Sequence, residues 1–253
     1  MRLAHFRDLV RELVSRDLKI RYKRSWLGIG WSLVKPISQL LIFSFLFNRV
    51  IPLNIPNYTA FLFTGVLVWS WFSGALTSAA LAVTGNAELI RRPGFPVLAL
   101  PMLTVTSSGI HFLLALPILF VFTFAETGFP GSPLLAFPLL IVLQFFLTLG
   151  LAYIIAATHV RFRDTQHMIG ILVMLGFYVT PIFYRPDNIP ETIKLVYDAN
   201  PMAWLLGAYR DILIDHRWPD PTSMFLLSST SAVLLVLGLS VFNSSSARFV
   251  EEL

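Results

Sequence analysis

Leu134-Leu135-Ala136-Phe137-Pro138-Leu139-Leu140-Ile141-Val142-Leu143-Gln144-Phe145-Phe146-Leu147-Thr148-Leu149-Gly150-Leu151-Ala152-Tyr153-Ile154-Ile155-Ala156-Ala157-Thr158-His159-Val160 carries no Asp, Glu, Lys or Arg from end to end. A helix needs roughly 20 such residues to cross about 30 Å of hydrocarbon. This run is therefore a membrane span, and it is one of several. Apolar runs at about 30–51, 59–83, 97–125, 168–184 and 223–242 complete a set of six, the fifth of them short. Lys35 lies near enough to the first span's end to snorkel, and Pro36 lies near its start.

Composition agrees with that reading. The chain is 56% hydrophobic and 13% charged, against about 25% charged residues in an average soluble domain. The expected fold is an all-α integral membrane domain spanning 1–253. Its parts are an amphipathic segment over 1–29, five spans over 30–184 with a cytoplasmic loop at 84–96, an external region at 185–222, and the sixth span with its tail at 223–253. No cleavable signal is evident, because the first long apolar run starts only near Leu27.

Charge fixes the expected orientation. The sequence holds 19 Lys and Arg residues, and most fall in 1–35, 84–96, 161–167 and 243–253. The other side holds only Arg49, Arg185, Lys194, Arg210 and Arg217. The positive-inside rule then puts both termini in the cytoplasm of an inner-membrane protein. The net charge of +5 reads as affinity for anionic lipid rather than nucleic acid. Leu3, Phe6, Val10, Leu13 and Val14 recur at helical spacing, with Arg7 and Arg11 on a polar side. This predicts a helix over 3–24 lying on the membrane surface; a solvated helix on a soluble partner is the alternative.

Two connections are longer than minimal. Gly85-Asn86-Ala87-Glu88-Leu89-Ile90-Arg91-Arg92-Pro93 reads as a short helix bounded by Gly and Pro. In 185–222, five prolines break the chain, and Ala203–Ile214 is apolar on one side but too short to span. It is expected as a re-entrant or interfacial helix.

Chemistry is mostly missing. No phosphate-binding loop occurs, and Gly28-x-Gly30 reads as packing. The chain has no Cys, and its five His residues form no metal cluster. His111 stands in the third span with Ser107 and Ser108 as hydrogen-bond candidates. None of the 14 acidic residues falls in the middle of a span, which argues against ion-coupled transport and intramembrane hydrolysis. A driving force would have to come from a partner. The 22 Phe, 7 Tyr and 6 Trp are either lipid-facing or, in part, a lining for sugar rings; Trp69, Trp71 and Phe72 of the second span and the aromatics of the fifth are the candidates.

Asp17-Leu18-Lys19-Ile20-Arg21-Tyr22-Lys23-Arg24-Ser25-Trp26-Leu27-Gly28, followed by Trp31 and Pro36, resembles the N-terminal signature of type-2 ABC permeases that export polysaccharides. Ala87–Arg92 with Phe95-Pro96 resembles that family's first cytoplasmic loop, and Phe162-Arg163-Asp164 its second. Thr180–Tyr184, Asn188-Ile189-Pro190, Asn200-Pro201 and Arg210 resemble its external gate. The likeness runs the length of the chain in order.

This resemblance implies a homodimer with a channel between the copies, and two copies of a nucleotide-binding ATPase docked beneath. The chain itself would bind no cofactor; ATP and Mg would sit in the partner. Glu88, Leu89, Ile90, Arg91 and Arg92, with Arg163 and Asp164, would couple to the ATPase, although an Arg163–Asp164 ion pair is an equal alternative. Arg21, Tyr22, Lys23 and Arg24 would meet lipid headgroups. The first and fifth spans would line the channel, with Phe43, Phe177, Tyr178, Phe183 and Tyr184 as candidates. Pro190, Asn200, Pro201 and Arg210 would belong to paired short helices closing the external mouth. The substrate implied is a lipid-linked polysaccharide, foremost O-antigen, with teichoic acid or capsule carried by the same architecture. A membrane-embedded enzyme or an ion-coupled flippase acting on lipid-linked sugars is the alternative from another class.

Overall fold

The computed structural model describes residues 3–21, 23, 25–26, 28–46, 55–185 and 191–252. Tyr22, Arg24 and Pro190, and the far end of the first expected span, lie outside them. The described residues form helices α1 (Leu3–Arg21), α2 (Trp31–Phe45), α3 (Tyr58–Ala80), α4 (Ala87–Ile90), α5 (Ala99–Thr127), α6 (Phe137–Arg161), α7 (Thr165–Val179), α8 (Glu191–Asp198), α9 (Pro201–Leu213), α10 (Pro221–Ser246) and α11 (Phe249–Glu252). Four are long and apolar enough to cross a membrane: α3, α5, α6 with its leading 3-10 turn, and α10. The 15 residues of α7 rise only about 22 Å at 1.5 Å each.

Helix α3 is the axis of the bundle. Nearly all of it is buried, whereas most of α10 faces outward. It runs antiparallel to α5: Ala60 N–H near its start donates to Glu126 Oε2 at the far end of α5 (2.9 Å), and the indole Nε1 of Trp71 donates to the Val105 carbonyl (3.1 Å). The Glu126 carboxylate thereby takes up one of the unpaired N–H groups that open a helix. A buried amide ties in α6 and α9. Gln144 Nε2 donates to the Val68 carbonyl at 3.0 Å, and Tyr209 O–H donates to Gln144 Oε1 at 3.0 Å. All three residues are fully enclosed, so each polar atom of that amide needs the partner it has.

Parallel helices α6 and α10 touch backbone to backbone. A Cβ on Gly150 would lie 2.5 Å from the Leu234 carbonyl carbon, and a Cβ on Gly238 would overlap the Gly150 carbonyl oxygen. In an apolar medium helices associate by close packing of this kind.

These contacts sort the bundle into two ends. The starts of α3 and α10, the end of α5 and all of α9 gather at one. Helices α1, α4 and α11, the start of α5 and the ends of α6 and α10 gather at the other. Three local findings differ from expectation. The α1 stripe Val10, Leu13 and Val14 is buried against Ala99 and Leu103 of α5, with Leu89 and Phe95 alongside, so this part of the stripe faces protein and not lipid. Gly28 adopts φ +54 and a Cβ there would touch nothing among the described residues; it makes the turn into α2. Pro36 is the sixth residue of α2 rather than part of its first turn.

Substituting Gly238 by Leu should force α6 and α10 apart and lower the melting temperature of the detergent-solubilised chain, an overpacking cost of about 1–3 kcal/mol or more. Val236→Leu, on the exposed face of the same helix, should leave it unchanged. Equal melting curves for both variants would contradict the close backbone contact.

Candidate functional site

At the α1–α4 end, α4 is a single turn. Arg91 N–H donates to the Ala87 carbonyl (3.1 Å) and Arg92 N–H to the Leu89 carbonyl (3.2 Å). Ile90 is buried and Leu89 half-buried, anchoring the turn between the main core and the α1–α5 contact. Glu88, Arg91 and Arg92 stay exposed. Helix α11 packs beside α4, held down by Phe249 against Phe242 (ring centroids 5.3 Å apart). The result is a charged knuckle with an apolar root, exposing side chains of both signs. Arg163 and Asp164 are also exposed, and they form no ion pair with each other. Asp164 precedes α7 but makes no side-chain cap. Arg21 is the last residue of α1 and Lys23 follows it, exposed.

At the opposite end, the chain leaves α7 at Thr180 and makes a tight turn, in which Ile182 N–H donates to the Thr180 carbonyl (2.7 Å). Thr180, Pro181 and Ile182 are buried, so the broken helix exposes carbonyls inside the protein that need donors. Arg210 of α9 supplies them. Its Nη1 donates to the Pro181 carbonyl (2.7 Å), and its Nη2 donates to the carbonyls of Ile182 (2.8 Å) and Phe61 (3.3 Å). The guanidinium carbon lies 3.4 Å from the Phe61 ring centroid, a cation–π contact. Only 7% of Arg210 is exposed. Gly65 makes room: a Cβ there would come within 2.8 Å of the Ile182 carbonyl and 2.9 Å of Arg210 Nη2.

Asn200 adds a second tie to the same turn. Its Oδ1 accepts from Met202 N–H (3.0 Å), capping α9 ahead of Pro201, and its Nδ2 donates to Thr180 Oγ1 (3.0 Å). Beyond α9, Arg217 pairs with Asp211 at 2.6 Å on the surface. The N-cap carboxylate of Asp220 accepts from Ser223 N–H (2.8 Å), which holds it below the usual carboxylate range.

The five aromatic candidates come together. Phe43 stacks on Phe177 (5.9 Å) and Phe183 (6.3 Å), Phe177 meets Tyr178 (5.5 Å), and Phe183 meets Tyr184 (5.1 Å). Trp69 in the middle of α3 joins through Phe177 at 6.3 Å. Tyr184 O–H donates to the Val179 carbonyl (2.8 Å), closing the end of α7. Tyr178 is 61% exposed, as are much of α7 and the α2 residues Leu41, Ile42 and Phe45.

Residues 8–214 match the ABC-2 type transporter family. The O-antigen export system permease protein RfbA of Myxococcus xanthus is 36% identical over 253 residues, covering 99% of this chain and 97% of the relative. An RfbA of Klebsiella pneumoniae is 35% identical over 250 residues, with 98% and 96% covered. The polysialic acid transport protein KpsM of Escherichia coli is 21% identical over 238 residues, with 93% and 92% covered.

The chain belongs to the ABC-2 type transporter family. It is a multi-pass membrane subunit of an ABC transporter, and the family makes it a transport component rather than an enzyme. Sequence reasoning missed three groups of this ABC-2 subunit. Gln144 was a lone amide in an apolar span, and that isolation was the available signal for a buried polar tie. Glu126 was a lone acid at a span end. Gly65 carried no signal, since only the folded position of Arg210 reveals what it accommodates. Ser107, a hydrogen-bond candidate for His111, is buried without any partner among the described residues.

Arg210→Met keeps much of the side-chain volume but donates nothing. It should destabilise the solubilised chain by about 1–3 kcal/mol for each carbonyl orphaned. The protein lacks cysteine, so Ile182→Cys can serve as a single reporter, silent to maleimide in the parent and labelled in the Arg210→Met background. A reporter equally silent in both would show that Arg210 does not hold the turn.

Proposed function

We propose that this chain is the membrane-spanning subunit of an ATP-driven exporter that moves a lipid-linked polysaccharide, foremost O-antigen, from the cytoplasm across the inner membrane. The observation that carries the substrate is likeness over nearly the full chain to permeases named for O-antigen export, at 36% and 35% identity. The lower identity of 21% to a polysialic acid transport protein ranks capsule-type substrates second.

In this reading the functional unit is a homodimer with two copies of a separate nucleotide-binding ATPase, where ATP and Mg reside. The six spans are α2, α3, α5, α6, α7 and α10, with both termini cytoplasmic, and α8 and α9 form the external gate. The clustering of α1, Arg91, Arg92, Arg161 and Arg163 at one end of the bundle supports that orientation. Glu88, Leu89, Ile90, Arg91 and Arg92 are the principal coupling element, with Arg163 and Asp164 secondary. Their support is the exposed mixed charge on an apolar root. Arg21, Tyr22, Lys23 and Arg24 meet lipid headgroups. Phe43, Phe177, Tyr178, Phe183 and Tyr184 line the path, favoured by their joint cluster and by the apolar faces of α2 and α7 that stay exposed beside it among the described residues. Asn200, Pro201 and Arg210, with Pro190, form the gate.

The test is charge reversal. Glu88→Arg combined with Arg91→Glu should abolish co-purification of the ATPase and leave lipid-linked glycan inside the cell, with the chain still folded by size-exclusion profile. Intact assembly and export would refute the coupling role. For orientation, Trp218→Cys should react with an impermeant maleimide in intact cells, and Glu88→Cys only after lysis. The reverse pattern would invert the topology.

A further inference from the structure

A cavity of about 160 Å³ opens beside the α9 latch, between Phe61, Pro181 and the C-terminal half of α9. Five charged side chains border it: Arg185, Arg210, Arg217, Asp211 and Asp215. The two carboxylates are engaged by Arg217, at 2.6 Å and 3.6 Å. Three cations against two anions leave the lining with one positive charge in excess. Among the described residues the hydrogen bonds of Arg210 go to neutral carbonyls, and its buried Nε has no hydrogen-bond partner there. Arg185 has no ion-pair partner among them either; its guanidinium carbon lies 5.9 Å from the ring centroid of Phe61, the same ring that Arg210 covers. The two guanidinium groups share one aromatic ring, with Asp215 acting on Arg210 only at a distance, and they repel each other in a medium that screens poorly. An anion in the cavity would relieve that repulsion.

From this geometry we infer that the cavity is an oxyanion site at the α9 end of the bundle, taking a phosphate or carboxylate group between Arg185 and the Arg210 edge. Guanidinium presents planar, paired donors that match such groups. A single water occupies about 30 Å³ of liquid, so the space admits a small oxyanion with part of its parent molecule and excludes a whole polymer. The inference deepens the export reading, on which its biological meaning rests: the ligand class is then the acidic group of a molecule at the external mouth, either a lipid phosphate or the carboxylate of an acidic sugar.

The experiment is ligand-induced thermal stabilisation of the full-length, solubilised chain, with sodium chloride at matched ionic strength as reference. The probes are inorganic phosphate, glucuronate, and nanodiscs of phosphatidylcholine with or without phosphatidylglycerol. Stabilisation by any probe beyond its reference, weakened about tenfold or more in apparent affinity by Arg185→Gln and partly rescued by Arg185→Lys, supports the site. The probe that acts at the lowest concentration identifies the source as free phosphate, sugar acid or lipid headgroup. Arg185 carries none of the latch bonds, so its substitution keeps the test valid even if Arg210 variants fail to fold. Stabilisation no greater than chloride gives, or equal in Arg185→Gln, overturns the proposal. The binding measurement needs neither ATPase nor transport. A chain that binds the anion but exports nothing would therefore refute only the export reading.

Discussion

A helix that breaks inside an apolar bundle leaves carbonyl oxygens with no water to satisfy them, and in this protein one arginine answers that need. Arg210 reaches the Pro181 and Ile182 carbonyls after the end of α7 and the Phe61 carbonyl in the first turn of α3. A guanidinium is suited to this because its donors fan out in a plane and stay protonated when buried. Lysine would bring the charge but concentrate its donors at one point. Arg210 therefore touches α3, α9 and the turn after α7 at once, Gly65 leaves room for it, and Asn200 adds a second tie between α9 and the same turn.

Apolar packing does different work elsewhere. The α6–α10 pair rests on backbone contact at Gly150 and Gly238, and α1 rests on a small cluster against α5. Such contacts are non-directional and tolerate small slides as long as volume is conserved. The Gln144 amide, bonded to both Val68 and Tyr209, is the exception within the core. It ties α9 to the middle of α3 and α6, so that the short helix behaves as part of the bundle rather than as a loop laid on its surface.

Much of this was legible because membrane burial writes itself into sequence as long uncharged runs. The expected span at 134–160 became α6 at Phe137–Arg161, and the expected 97–125 became α5 at Ala99–Thr127. Interruptions were legible for the same reason: Gly85 and Pro93 bracket α4, and Pro201 opens α9. What did not show was partner choice. The stripe of α1 suits lipid and protein equally, since both are apolar, and only the fold reveals that Val10, Leu13 and Val14 face α5. Arg210 read as an external charge because hydropathy is scored along the chain, while its burial comes from α3 and from the turn after α7, both far away in sequence. Arg163 and Asp164, adjacent in sequence, suggested a pair that the geometry does not make.

The two ends of the bundle consequently differ in mechanical character. Around α4 the root is apolar, through Leu89 and Ile90, and the exposed charges are free to meet a partner. Around α9 the contacts are directional hydrogen bonds from Arg210, Asn200 and Tyr184, and from Tyr58 O–H to the Phe183 carbonyl (3.2 Å), which weaken steeply as they are misaligned. Helix α3 joins the two, nearly all of it buried, with Phe61 under Arg210 at one end and the α4 knuckle following its other end. In the export reading proposed above, a push at α4 would enter through apolar contacts, pass along α3 and arrive at the hydrogen bonds around Arg210. On that reading the apolar packing around α4 would give compliance where force enters, and the directional contacts around Arg210 would hold the other end closed until they are released.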